Sequence, residues 1–129
     1  MFYEYQLTVN ANSVSSEGVT LEMPLSYGKL TQIEVTFPPG CCGLVDVVIE
    51  RFTHQILPTN ISYKMKADDH SIKFDTEINI YDKPYMLVLR AWNNDTLFNH
   101  TITCRMIVNE EQSIIVVNSN QLKLNLMGL

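Results

Sequence analysis

Two adjacent thiols, Cys41 and Cys42, are the residues of this chain best suited to bind a metal, because thiolates are ligands of Zn²⁺. A structural Zn²⁺ takes four ligands, and the sequence has neither a Cys-x-x-Cys motif nor a pair of histidines beside these thiols. A disulfide between the two neighbours is the other chemistry open to them. We instead expect both side chains to pack as small, soft groups at a corner of the chain.

A second candidate is an acidic run, since carboxylate oxygens suit hard divalent cations. It consists of Asp68, Asp69, His70 and Asp75. The spacing of these residues matches no cation-binding loop. The sequence therefore predicts no metal site and no cofactor.

Catalytic groups are the third possibility, and the sequence gives them little support. His54, His70 and His100 are far apart in the chain. The sequence contains no Gly-x-Ser-x-Gly nucleophile motif, no glycine-rich phosphate loop and no His-Glu-x-x-His motif. We therefore expect a protein without enzymatic activity and assign no catalytic residue.

An aromatic residue with polar neighbours offers a binding chemistry instead. The candidate ligand rim consists of Trp92, Asn94 and His100, and Arg90 would frame a sugar or peptide subsite together with Trp92. In the competing interpretation, Trp92 is the central indole of a β-sandwich core and His100 is packed by its ring on the face of Ile102. The sequence favours the core interpretation for both.

Composition limits the partners. The chain has 129 residues, and chains divide into several cores only at about twice this length, so we expect one domain. Hydrophobic residues make up 46% and charged residues 18%, which suffices for a buried core. The net charge is -5 and the Lys and Arg residues are scattered, which argues against a nucleic-acid partner.

Cysteine usage and the first residues bear on localisation. Three cysteines do not make the disulfide framework of a small secreted domain. The sequence from Met1 has no basic and apolar leader, and it contains no run of about 18 apolar residues. We therefore expect synthesis in the cytoplasm without a signal peptide, and no membrane partner.

Period-two alternation runs through nearly every ordered stretch, and no long stretch has a helical period. This pattern predicts an all-β fold, an antiparallel β-sandwich or jelly roll. A half-buried strand is predicted for Leu30 to Phe37, and a central strand covered on both faces is predicted for Leu44 to Phe52. A strand with a charged outer face is predicted for Ile72 to Ile80. Residues 53–71 are predicted to form a long loop with one short strand.

Two connections have distinctive sequences. The hexapeptide Pro38-Pro39-Gly40-Cys41-Cys42-Gly43 predicts a sharp corner, because prolines remove backbone donors and glycines permit positive φ. Asn93 to Thr96 has the length and composition of a hairpin turn that would pair Tyr85 to Trp92 with Phe98 to Val108.

Both ends of the chain resemble strands that lack a partner. We predict an N-terminal arm with a strand over residues 1–28, a sandwich core over 29–117 and a C-terminal arm strand over 118–129. Each arm either completes the sheet of its own subunit or exchanges with neighbouring copies. The residues predicted to mediate assembly are Tyr3, Tyr5, Leu7, Val9, Leu122, Leu124, Leu126 and Leu129.

The segment from Ile33 to Val48 around the corner, together with Arg90-Ala91-Trp92-Asn93-Asn94-Asp95-Thr96, resembles small all-β virion accessory proteins of tailed phages or related viruses. The resemblance covers about residues 30–108. It implies a capsid decoration or tail accessory protein, located in the virion, whose partners are copies of itself and other virion proteins. The alternative hypothesis is a monomeric carbohydrate- or peptide-binding β-sandwich module.

Overall fold

The computed structural model describes residues 1–110, which form eight β-strands and no helix. The strands are β1 (Phe2–Val9), β2 (Val19–Pro24), β3 (Gly28–Phe37), β4 (Val45–Arg51), β5 (His54–Leu57), β6 (His70–Ile80), β7 (Met86–Asn93) and β8 (His100–Glu110). The predicted all-β fold is confirmed. The predicted C-terminal arm, with Leu122, Leu124, Leu126 and Leu129, lies outside the described residues.

The strands form two antiparallel sheets of four strands, in the orders β1-β8-β3-β6 and β2-β7-β4-β5. The sheets pack in a sandwich-like arrangement, because alternate residues of each strand turn inward to one core. Val35 and Ile102 enter this core from the first sheet, and Val47 and Leu89 enter it from the second. Among the eight described strands, only β4 and β5 are consecutive in the chain and paired in the same sheet. Every other connection between described strands crosses from one sheet to the other.

Three strands follow their sequence patterns. β3 buries Ile33, Val35 and Phe37, and β4 lies between β7 and β5 with four of its first five residues buried. β6 is an edge strand whose exposed residues alternate with partly buried apolar ones. The short strand predicted within residues 53–71 is β5.

The strand predicted in the N-terminal arm completes the sheet of its own chain, which is one of the two outcomes expected for the arm. β1 pairs with β8 of the same chain, from Phe2 opposite Ile107 to Val9 opposite His100, and β2 pairs with β7. Leu7 and Val9 are buried in the core. Residues 2–9 therefore complete the sheet of their own chain, because β8 offers an open edge next to the core that the apolar face of β1 can cover.

The side chains of the two tyrosines predicted as assembly residues are used within the chain. Tyr3 Oη donates to Ser26 Oγ at 2.9 Å, and Tyr5 Oη donates to the carbonyl oxygen of Pro24. Both rings pack against the core.

The predicted hairpin between β7 and β8 is wrong. β7 pairs with β2 and β4, whereas β8 pairs with β1 and β3 in the other sheet. Both strands carry an apolar face, and placing them in opposite sheets lets these faces meet across the core. Residues 94–99 consequently cross from one sheet to the other.

The strand directions bring four connections together at one end of the sandwich. Val9 lies opposite His100 and Phe37 opposite His70 in the first sheet, while Val45 lies opposite Asn93 in the second. The connections 10–18, 38–44, 58–69 and 94–99 therefore share this end, which we call the four-loop end. The corner hexapeptide and the three residues of the predicted ligand rim are all here.

Candidate functional site

A cleft of about 380 Å³ opens at the four-loop end. It is lined by Val14, Ser15, Ser16, Asp46, Lys64, Trp92 and Asn94. Its walls come from the β1–β2 connection, the start of β4, the β5–β6 connection and the end of β7. We call it the Trp92 cleft; its volume lies at the lower end of the range typical of small-molecule sites.

Trp92 faces away from the core, which corrects the interpretation of this residue as the central core indole. On β7 the inward positions are Leu89, Ala91 and Asn93, so period two turns Trp92 to the outer face, where it is half-buried. Its Nε1 donates to the carbonyl oxygen of Ser15 at 2.9 Å. The indole is thus anchored at the edge of the cleft.

The surroundings of the indole explain a glycine in the β1–β2 connection. Gly18 has φ +69°, and a Cβ there would lie 2.9 Å from Cε2 of Trp92. The backbone of this connection therefore lies directly against the ring. Lys64 also contacts the indole, with its Nζ 4.3 Å from the ring centroid.

Asp46 supplies the carboxylate of the cleft. It lies opposite Trp92 in the β4–β7 register, so both side chains point to the same outer face. Asn94 Nδ2 donates to Asp46 Oδ2 at 3.3 Å and to the carbonyl oxygen of Leu44 at 3.0 Å. Lys66 Nζ lies 3.2 Å from Asp46 Oδ1, although this oxygen accepts no hydrogen bond from the described residues.

His100 lies apart from the Trp92 cleft, in a hydrogen-bond network that shapes the loop of residues 94–99. The imidazole is buried, and its Nε2 is 2.9 Å from Asp95 Oδ2. Asp95 Oδ1 accepts from the backbone N–H groups of Leu97 and Phe98. The N–H of Leu97 first, and His100 second, lower the pKa of the Asp95 carboxyl.

Asn93 connects this network to the core. Its side chain is fully buried; Nδ2 donates to the carbonyl oxygens of Val9 and Phe98, and Oδ1 accepts from the N–H of Asp95. Sequence reasoning missed Asn93 and Asp95 and treated them as turn residues. Asn and Asp side chains often form hydrogen bonds with nearby backbone groups in turns, and this tendency could have identified both residues.

The corner hexapeptide is held by an aspartate from the β5–β6 connection. Asp68 Oδ1 accepts from the N–H of Gly40 at 2.9 Å and from the N–H of Cys42 at 3.1 Å. The positive φ of Gly40, Cys42 and Gly43 makes the turn sharp. Asp68, a candidate cation ligand in the sequence, is here a partner of the backbone.

The three cysteines of the chain differ in exposure. Cys41 and Cys104 are buried and Cys42 is exposed. Burial first, and the charge of Asp68 second, raise the pKa of Cys41 to about 11. Cys41 is therefore a protonated thiol at neutral pH, which makes it a poor nucleophile and metal ligand.

Arg90, the other residue predicted to frame a subsite, is engaged elsewhere on the same face. Its Nε and Nη2 donate to the two carboxylate oxygens of Glu50 at 3.0 and 3.1 Å, and its Nη1 donates to the carbonyl oxygen of Glu17. Of the predicted rim, Trp92 and Asn94 are brought together by the fold.

The loops around the cleft also expose large apolar side chains. Leu97 is 77% exposed and Phe98 is 64% exposed, both next to the Asp95 network. The others on these connections are Val14, Leu44, Ile61 and Tyr63. The four-loop end therefore combines a polar cleft with an apolar surround, a composition typical of recognition surfaces.

Comparison with protein-family models and with curated protein sequences finds no match for this chain. Within residues 1–110, no three His, Cys, Asp or Glu side chains are grouped so as to hold a metal ion. The same residues contain no helix long and apolar enough to cross a membrane.

Proposed function

We propose that the protein is a non-enzymatic structural protein of a virus-like assembly, a capsid decoration or tail accessory protein, built on a jelly roll. It is made in the host cytoplasm and becomes part of the virion. There it contacts copies of itself and other virion proteins through strands and through its C-terminal arm.

The observation that carries this proposal is the strand order. A jelly roll arranges eight antiparallel strands in two sheets by means of two Greek keys, and it recurs in viral capsid domains and in lectins. The orders β1-β8-β3-β6 and β2-β7-β4-β5, with nearly all connections crossing between the sheets, agree with that arrangement. The step from this fold to a virion role is an analogy, and the resemblance around the corner hexapeptide points the same way.

Assembly through strands requires an open edge and a segment that fills it. Within residues 1–110, β1 pairs with β8 alone, so its outer edge is open to another strand. The sequence from Gln121 to Leu126 alternates leucines with polar residues, as an added strand would. We therefore place the contact between the C-terminal arm of one copy and a sheet edge of its neighbour.

Light scattering on a sizing column tests the proposal, because a monomer has a mass of 14.8 kDa. The full chain is expected to give a defined multiple of this mass. A variant with Leu124→Asp and Leu126→Asp should run as a folded monomer, because burying two carboxylates at an interface is costly. The matched control carries Gln121→Asp and Asn125→Asp, which add the same charge at polar positions and should leave the oligomer intact. A full chain that is monomeric at every concentration, or equal masses for all three proteins, would refute assembly through the arm.

A further inference from the structure

We propose that the Trp92 cleft binds a sugar residue that carries a carboxylate, a ligand-binding role that goes beyond assembly. The inference depends on three features of the cleft: an indole at its edge, a set of polar groups that can bind hydroxyls, and a lysine that has no acidic partner among residues 1–110.

The indole provides a surface for the apolar face of a pyranose ring. Trp92 is half-buried on the outer face of its sheet, and its Nε1 is already bonded to Ser15. Its orientation is thus fixed before any ligand arrives. Tryptophans that combine an apolar ring with a satisfied polar atom are common at binding surfaces, where they contribute much of the buried area.

Polar groups near the indole match the hydroxyls of a sugar. Asp46 can accept from a hydroxyl and Asn94 can both donate and accept, while Ser15 and Ser16 also line the cleft. Asp46 Oδ1 accepts no hydrogen bond from the described residues. This oxygen is buried and lies 3.2 Å from Lys66 Nζ, so a ligand hydroxyl would reach it only after displacing that ammonium.

Lys64 gives the preference for an acidic sugar. Among the described residues its ammonium contacts the Trp92 ring and no carboxylate, whereas Lys66 is neutralised by Asp46. A cation over an exposed aromatic ring is held weakly enough for a ligand to replace it. When a sugar ring takes that place, the displaced ammonium lies beside the ligand and can pair with its carboxylate.

The walls of the cleft are tied together by backbone hydrogen bonds. Asn93 N donates to Ser13 O at 3.0 Å, and Val47 and Met65 exchange two bonds of 2.8 and 2.9 Å. These ties fix the residues next to Trp92, Asp46 and Lys64. Binding should therefore require little ordering of the protein, which favours affinity for a small ligand. The small volume suits the end residue of a glycan better than a long chain.

Fluorescence tests the proposal directly, because Trp92 is the single tryptophan of the chain. The full chain is titrated with methyl glucuronide and with the methyl glycoside of N-acetylneuraminic acid; methyl glucoside is the neutral counterpart of the first. One or both acidic probes should change the indole emission in a saturable manner, with the neutral probe about tenfold weaker because it lacks the charged hydrogen bond.

Variants separate the cleft from nonspecific effects. Lys64→Met should remove the preference for the acidic probe, and Asp46→Asn should weaken binding by about tenfold, since a hydrogen bond to a charged group is lost. Lys73→Met removes another exposed lysine, on β6, and should leave binding unchanged. Calorimetry of Trp92→Ala, with its fold checked by circular dichroism, should show no binding heat. The proposal is overturned if neither acidic probe binds, if the neutral probe binds as well as the glucuronide, or if Lys64→Met and Lys73→Met behave alike. These readouts are independent of the oligomeric state.

Discussion

Replacing Asn93 by alanine should be among the most damaging single changes at the four-loop end. The side chain is fully buried and makes three hydrogen bonds to backbone groups. Without it, the carbonyl of Val9 and the N–H of Asp95 are left in buried positions, and the carbonyl of Phe98 in a partly buried one. At roughly 1–2 kcal/mol for each buried group and less for the third, the free energy of unfolding should fall by about 3 kcal/mol. For a chain of this size that corresponds to a melting temperature lower by about 12 °C.

Urea denaturation followed by circular dichroism measures this loss. Thr96→Ala, a change at an exposed position of the loop that follows Asn93, is the control and should cost less than about 0.5 kcal/mol. Asn93→Asp keeps the acceptor for the N–H of Asp95 but turns a carboxylate oxygen toward the two carbonyls. It should therefore destabilise the fold at least as much as alanine does. If Asn93→Ala and Thr96→Ala have the same free energy of unfolding, the buried hydrogen bonds of Asn93 do not stabilise the fold.

Two further predictions concern acid stability and backbone conformation. Because the folded state lowers the pKa of Asp95 below its ordinary value of 3.8, its ionised form adds stability that is complete above that pH and is lost as the pH falls below it. The stability difference between the wild type and Asp95→Asn should therefore shrink in urea titrations between about pH 6 and pH 2, and a constant difference would contradict the assignment. Gly28→Ala places a Cβ 2.4 Å from the carbonyl oxygen of Asn109 at φ +153°, and it should cost at least about 3 kcal/mol or prevent folding. Gly43→Ala, at φ +71° with no atom within 4 Å, should cost only about 1 kcal/mol, so equal losses would show that the close approach at Gly28 is unimportant.

The sequence predicted the strands whose two faces have clearly defined surroundings, either one face covered or both. β3 and β6 alternate because one face is covered, and β4 is apolar nearly throughout because it lies inside its sheet. These patterns depend only on local periodicity, so they can be recognised without knowledge of the partners. The all-β class follows from them.

Strand partners were harder to predict, because a short polar connection is compatible with two outcomes. Residues 94–99 could close a hairpin or cross between sheets, and only the packing of the β7 and β8 faces across the core decides between these. The partner of β1 was also not predictable from local sequence, because β8 is separated from β1 by nearly the full length of the described chain. Local composition made residues 1–28 resemble an arm.

The candidate site was partly predictable. Trp92 and Asn94 were identified as rim residues, but the sequence favoured a core position for the indole. The reason is Asn93, a buried polar residue that occupies the inward position of β7 where an apolar residue is usual. A polar residue that is buried and hydrogen-bonded in this way interrupts the alternation of apolar and polar residues. That alternation is what predicts which side chains of a strand point toward the core. Asp46 and Lys64 came into the cleft through sheet register and a long connection, which one sequence does not reveal.

The crossing of nearly every connection between the two sheets has a consequence for how the chain acquires its structure. Neither sheet is made from a continuous stretch of sequence, so neither can form as an independent unit. β1 is synthesised first, yet its only described partner is β8, the last strand of the described residues. Contacts of such long sequence separation slow folding, so we expect this sandwich to fold in milliseconds to seconds. Until β8 is synthesised, β1 and one edge of β3 lack their described partner, and self-association of nascent chains is favoured during this interval.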